Sequence, residues 1–593
     1  MARRQSFGGG GGVQSVAHIE PVERDSPSIN RALLPLRPAE LSFTAEERGK
    51  VTILFGGLTW KHERLIEGLL RGAGQRCRRL TETDREAHEL GMEFCASGLC
   101  NPVYFTVGNL IRFLKQRERD GMTRAEIVKN YVYFTAACGG PCRFGIYENE
   151  FRTALNAAGF EGFRILSFSQ DQGIRADTGH TGLQFSVDFG LNAMHSFILG
   201  DLLNIAQHRL RPFEVQKGAA DRAIAEMADR IGRHFESYRG FEFADAVPRF
   251  LVPNRRSRGY RIPNTLGKLW AHLYGDALST VLPEAAKELA KVEVDWLRVR
   301  PVVKVIGEFW AQMTESDGNF RMLEFLEKEG AEVSVEPIST WLLYMLEQRK
   351  TRAAFRRQAA TYVAPWTAPK RAFAARASAF GKRLGFTLAT KIYIHHFRRL
   401  AKLLGVPQLA LAPQETLAAM AEPYYNTFLR GGEGHLEVGK TLYYTRRKAC
   451  HLVLALKPFG CLPSMQSDAV QASLVERFPE VSFLPVETSA DGAIHAYSRV
   501  QMALSEARAK ANLEFEQALH VAHHSLEEIR AFVAEHAELR HPLYQIPRHA
   551  GTISTAANFL LHADELMTRH SATARRQPSA ALEPIHSTQE IEP

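Results

Sequence analysis

Five of the seven cysteines lie in three short loops: Cys95-Ala-Ser-Gly-Leu-Cys100-Asn-Pro102, Cys138-Gly-Gly-Pro-Cys142-Arg-Phe-Gly-Ile-Tyr147 and Pro458-Phe-Gly-Cys461-Leu-Pro463. Soft thiolates match iron, and loops rich in Gly and Pro let backbone N–H groups approach inorganic sulfide. Held by Cys100, Cys142 and Cys461, an iron–sulfur cluster would keep one iron without a protein thiolate, open to substrate or water as a Lewis acid. Cys95 and Cys138 are close enough in sequence to be alternative or additional ligands. Two other readings stand beside this one. The thiols could simply pack in tight turns, as buried cysteines often do. Zinc would call for paired CxxC or HxxxH ligands, which the chain lacks. Cys77 and Cys450 sit in or beside apolar strand-like runs and read as core.

Other motifs carry less chemistry. Gly434-His-Leu-Glu-Val-Gly439-Lys440-Thr441 matches the phosphate-loop pattern, but a phosphate loop needs a buried strand before it. What precedes it is Glu422 to Glu433, a helix-like stretch with a Gly-rich end, so a turn leading into a helix is expected instead. His395-His396 and His523-His524 are expected within helices, packing or facing solvent, without a Glu at metalloprotease spacing. There is no G-x-S-x-G elbow to support a hydrolase. Asp177-Thr-Gly-His180-Thr-Gly182 reads as a turn that could line a site. Arg143, beside Cys142, is expected either to counter cluster or thioester charge or to form a structural salt bridge.

The elements that must position these residues form an α/β pattern. Apolar strand runs at Val51–Phe55, Gln75–Leu80, Tyr131–Phe134 and Phe163–Phe168 alternate with helical spacing at Lys61–Arg71, Asn101–Arg119 and Glu148–Ala158. A second unit has strands at Pro301–Ile306, Gly330–Val335, His451–Leu456 and Val481–Pro485, with a helix over Ile494–Ala511. Such alternation predicts two Rossmann-like, mostly parallel sheets with helical insertions, whose ligands collect at the carboxyl ends of the strands. The cysteine loops are then expected to meet at the cleft between the two units. The expected division is a disordered N-terminal arm over 1–48, a first α/β domain over 49–190 and a helical region over 191–298. The second α/β domain spans 299–345 and 404–525, a basic helical insertion 346–403, and a helical C-terminal segment with a disordered tail 526–593.

At 593 residues the chain is too long for one core. With 45% hydrophobic and 23% charged residues it has a globular composition, and no apolar run reaches the roughly 18 residues of a transmembrane helix. Its first residues lack the apolar core of a secretory signal, so a reducing, cytoplasmic location is expected, where thiols serve as ligands, catalysts or packing rather than disulfides. The net charge is +9, yet residues 349–402 alone hold fourteen Lys or Arg and no acid. Such a segment attracts phosphate on CoA, an anionic membrane surface or an acidic partner. Nucleic acid is disfavoured, because no recognition module accompanies it.

Taken together, Gly56-Gly-Leu-Thr-Trp60, Cys100-Asn-Pro-Val-Tyr-Phe-Thr-Val-Gly108, Gly140-Pro-Cys142-Arg-Phe-Gly-Ile-Tyr147, Gly307-Glu308, Gly330-Ala-Glu-Val333, Gly432-Glu433 with Gly439-Lys440, and Pro458-Phe-Gly-Cys461-Leu-Pro463 resemble the acyl-CoA dehydratase activase-related family. That family is itself similar to the 2-hydroxyacyl-CoA dehydratase subunits, and the likeness covers roughly residues 50–510. It implies an oxygen-sensitive [4Fe-4S] cluster on Cys100, Cys142 and Cys461, and a lyase-like or reductase-like role in which an electron is passed toward an acyl-CoA. It also implies an ATP-dependent activase or other electron-donor protein as partner. The chain departs from many relatives in lacking a fused ATPase activase, in its basic insertion, and in an extra Gly that shifts Cys138. The alternative expectation is a non-catalytic electron relay or assembly partner that holds the same cluster.

Overall fold

The computed structural model describes residues 40–576 apart from 41, 138–141, 170–172, 175–181, 184–185, 247–256, 364–368, 407–410, 430 and 490. Two parallel sheets, each flanked by helices, form the α/β framework that the strand–helix alternation predicts. In the first, β1 (Thr52–Phe55), β2 (Arg76–Arg79), β3 (Tyr131–Ala137) and β4 (Arg164–Ser169) run parallel in the order β2-β1-β3-β4, and the two-residue β5 (Gly173–Ile174) joins β4 antiparallel. Ile53 pairs with both Cys77 and Val132, so β1 is central and its apolar residues are buried. The crossovers carry α1 (Trp60–Gly72), α2 (Arg85–Phe94), α3 (Asn101–Arg119), α4 (Arg124–Asn130) and α5 (Tyr147–Ala157).

A helical layer follows: α6 (Val187–Leu210), α7 (Ala219–Ser237), α8 (Phe243–Ala246), α9 (Arg258–Tyr274) and α10 (Asp276–Leu289). The second sheet is β6 (Val302–Gly307), β7 (Glu332–Val335), β8 (Leu452–Pro458) and β9 (Phe483–Thr488) in the order β7-β6-β8-β9. Every residue of β6 and β8 is buried, the signature of strands covered on both faces. Between β6 and β7 lie α11 (Phe309–Met313) and α12 (Met322–Lys328); between β7 and β8 lie α13 (Ile338–Val363), α14 (Pro369–Leu403), α15 (Gln414–Ala421) and α16 (Gly434–Arg446). After β8 come α17 (Leu462–Arg477), α18 (Ala493–Val521), α19 (Leu526–Glu535) and α20 (Thr555–Arg576).

Three cores hold this together. Leu54, Val107, Phe151 and Ile165 fill the first unit; Val303, Leu454, Val486 and Val500 fill the second; Leu199, Ile224, Leu282, Phe397 and Phe559 fill the helical layer. The two sheets are also stitched directly. Buried Lys61 of α1 reaches Glu315 at 2.5 Å, Thr83 meets Ser316 at 2.7 Å, and the rings of Phe105 and Trp310 lie 5.6 Å apart.

Several boundaries differ from expectation. The expected arm over 1–48 is docked at its end: Phe43 is fully buried beside Val51, Ile53 and Leu183, and Ala45–Glu47 form a short helical turn. A large apolar side chain just before β1 had a core within reach, and burying it outweighed the polar character of its neighbours. The helix expected over Ile494–Ala511 runs on to Val521, packing Ala511 and Ala518 inward. His523 and His524 are not helical: they sit between α18 and α19, where Asp564 accepts from both backbone N–H groups at 3.0 Å.

Candidate functional site

Each of the three cysteines from separate loops occupies a helix N-terminus. Cys100 is the N-cap of α3 and Cys461 the N-cap of α17, each followed two residues later by a proline in the first turn. Proline is tolerated there because its missing N–H has no intrahelical partner to lose. Cys142 caps the helical turn Arg143–Ile146 that leads into α5. The exposed N–H groups and positive dipole end of a helix favour anions, so three thiols so placed suit thiolate ligation.

The Cys142 and Cys461 loops leave the carboxyl ends of β3 and β8, whereas the Cys100 loop joins α2 to α3. Asn101 donates its backbone N–H to Phe459 O at 3.0 Å and its side-chain amide to Thr488 O at 3.1 Å, fastening the Cys100 loop onto the end of the second sheet. Gly460, at φ +75°, lies so close that a Cβ there would meet Leu99 O at 3.0 Å and Cys100 Cα at 3.5 Å. Gly432, at φ +71°, performs the same service on the other side: its Cβ would stand 2.5 Å from Pro463 Cγ and 3.8 Å from Cys142 Cβ. The Tyr147 hydroxyl contacts Cys100 Sγ at 2.9 Å.

Burial pushes the Cys100 thiol up to about 12, against the Tyr147 hydrogen bond, and burial with nearby Glu308 pushes Cys461 up as well, against its bond with Ser464. Cys142 is half-buried. Two carboxyl groups adjoin the thiols. Glu308 follows Gly307 at the end of β6 and caps α11, accepting from Ala311 N at 2.9 Å. Glu433 precedes α16 and is buried, with no hydrogen-bond partner on Oε1. Burial raises both carboxyl groups above the usual range, Glu433 with a further push from Glu308 and Glu308 with one from Glu437.

Beneath Cys461 a buried network fixes α17. Glu437 accepts from Ser464 at 2.9 Å, Ser467 at 2.7 Å and the Lys457 ammonium at 3.0 Å, and Lys457 also donates to Gln471 at 2.6 Å. The phosphate-loop match ends up inside α16, so it forms no loop at all. Its Gly439 lets α15 approach, since a Cβ there would sit 2.4 Å from Leu417 O. Lys440 is buried, and with Lys304 it holds the Glu336 carboxyl down at about 2 despite burial.

Of the sequence-derived residues, Cys100, Cys142 and Cys461 share one neighbourhood. Cys95 ends α2 and packs in the first core, its thiol pushed up to about 12 by burial and by Glu150. Cys138 and most of the Asp177–Gly182 loop lie outside the described residues. Cys77 in β2 and Cys450 before β8 pack in cores, as expected. Among the described residues Arg143 forms no salt bridge; it donates to the carbonyl of Gly98. Among the described residues no set of three or more His, Cys, Asp or Glu is placed to hold a single metal ion. The thiols of a cluster each bind a different iron and stand further apart than the ligands of one ion; buried Cys100 and Cys461 and half-buried Cys142, beside close glycine backbone, are the donors such a group would use. Glu308, Glu433, Glu437, Lys457, Ser464 and Tyr147 were given no role in sequence; the signal available for Glu308 was a Gly-Glu pair after an apolar strand and before a helix. In comparisons with known proteins, no family model and no curated protein matches the chain.

Proposed function

We propose that the chain holds a [4Fe-4S] cluster on Cys100, Cys142 and Cys461 and acts on, or delivers an electron toward, an acyl-CoA, as the 2-hydroxyacyl-CoA dehydratases it resembles do. The observation that supports this reading is the gathering of three thiols, from loops far apart in sequence, at three helix N-termini between the carboxyl ends of two parallel sheets. When bound, such a cluster supplies low-potential one-electron chemistry and, at an iron without a protein thiolate, Lewis acidity.

The chain's own residues have distinct tasks. The Tyr147 hydroxyl orients the Cys100 sulfur, while Glu437, through Ser464 and Ser467, fixes the first turn of α17 behind Cys461. Glu433 places a buried carboxyl, whose proton affinity burial raises, near Cys142, where it would serve to protonate a leaving hydroxyl. The buried setting of Cys100 and Cys461 excludes water. Protein purified and reconstituted without oxygen is expected to hold about four irons and four sulfides per chain with a broad absorption near about 400 nm. Cys142→Ser and Cys461→Ser should each abolish the wild-type EPR signal of the reduced protein. A colourless wild type that takes up no iron would end this reading. A CoA-thioester titration then separates an enzyme, which binds, from a relay, which does not.

A further inference from the structure

Two helices expose large apolar side chains in continuous rows. On α9, Ile262, Leu266, Trp270 and Tyr274 recur every fourth residue and are 50–65% exposed. On the first half of α14, Phe373, Phe380, Leu384 and Leu388 are 57–74% exposed. Farther along, the same helix turns inward and buries Tyr393, Phe397 and Leu400 in the helical core. The rows meet where the Tyr274 and His395 rings lie 6.2 Å apart and the Arg399 guanidinium stands 5.8 Å over Tyr274. Monomeric proteins rarely leave so much apolar surface in one place without a use for it.

Charge selects the occupant. Residues 349–402 hold fourteen Lys or Arg and residues 246–275 six, and neither stretch contains an Asp or Glu. Both exposed rows therefore lie inside acid-free basic segments. A second copy related by a two-fold axis would bring like charges face to face, which disfavours self-association. Nucleic acid could stack on Trp270, Tyr274 or Phe380, but Ile262, Leu266, Leu384 and Leu388 offer no stacking face. Although Lys268 of α9 is buried against Asp188 and Glu242, exposed Arg258, Arg261, Lys382 and Arg383 accompany the aromatic and aliphatic side chains, a combination that suits the headgroup layer of a bilayer.

We propose that α9 and the first half of α14 form one surface that docks on an anionic membrane. No described helix is long and apolar enough to cross it, so the contact is peripheral. Docking is independent of the cysteine site and stands or falls without it.

Flotation of the full-length protein with phosphatidylcholine vesicles, with and without phosphatidylglycerol, tests this. Binding is expected only with the anionic lipid and to weaken as salt rises. Leu384→Glu/Leu388→Glu should cut partitioning by about tenfold or more, and Lys382→Glu/Arg383→Glu by a similar factor, both with unchanged thermal midpoints because all four side chains are exposed. A blue shift of tryptophan emission on binding should be lost in Trp270→Phe. Absence of binding, equal binding to neutral vesicles, or binding indifferent to Leu384→Glu/Leu388→Glu would overturn the proposal. So would a failure to bind vesicles combined with tight binding of a single-stranded oligonucleotide or of an acidic protein, or with a dimer that Leu384→Glu/Leu388→Glu splits.

Discussion

Replacing Lys457 by Met removes the ammonium that faces Glu437 at 3.0 Å, where both side chains are almost wholly buried. At that distance two unit charges attract by about 5 kcal/mol in an effective dielectric of about 20. The variant leaves Glu437 with only the Ser464 and Ser467 hydroxyls as donors, and stranding a buried carboxylate costs about 3–5 kcal/mol. Asp468, the other charged partner of Lys457, is partly exposed and regains water, so the loss centres on Glu437. Adding Glu437→Gln removes the stranded charge, and the double variant should recover about 2 kcal/mol or more of the loss. A chain with two sheets need not unfold in one step, so the suitable readout is native-state hydrogen exchange of peptides from 434–446 and 462–477, helices that share this network. A single variant that loses less than about 1 kcal/mol, or a double variant no better than the sum of the singles, would refute the network.

Burial holds His396 down at about 3, from 6.5, and lowers His195 well below its usual value, in a nest that includes His272 and Arg399. The unfolded chain then binds the extra protons, so stability present above about pH 6.5 is lost on acidification at about 1.4 kcal/mol per pH unit for each imidazole; thermal midpoints of His396→Gln should flatten this slope. Glu63, raised to about 8 mainly by burial, has the opposite sign, its contribution present below about 4.5 and lost as pH climbs toward 8, and Glu63→Gln should remove that alkaline decline in midpoint. Gly432→Ala, which forces φ +71° and a clash with Pro463, should cost about 1–3 kcal/mol and lower iron retention during anaerobic gel filtration. Tyr147→Phe should cost about 1 kcal/mol by calorimetry, since it removes the hydroxyl bonded to Cys100.

The strands were legible because β6 and β8 are apolar but for one lysine each, and α3 because Asn101-Pro102 opens it and basic residues close it. The three cysteine loops could be picked out by composition, and two of them by the shared Cys-x-Pro spacing at a helix start. What spacing alone could not convey is burial of polar groups. Glu437 and Lys440 look like an ordinary exposed pair in a Gly-rich stretch, yet both face inward, because their partners arrive from the end of β7, from β8 and from α17. Nor could the reach of Phe43 be foreseen, since its pocket is built by residues from β1 and by Leu183, far along the chain.

The seam that unites Cys100 with Cys461 also imposes an order of events. The first α/β unit leaves the ribosome complete with two of the three thiols while the loop that supplies the third has not been translated. Until β8 and α17 emerge, Cys100 lacks the Phe459 carbonyl and Gly460 backbone that cover it in the finished protein. Any metal loaded earlier would sit on a half-built cradle open to oxygen. Loading of the proposed cluster would therefore be a late step, one that a truncated product stopping before residue 461 should never reach.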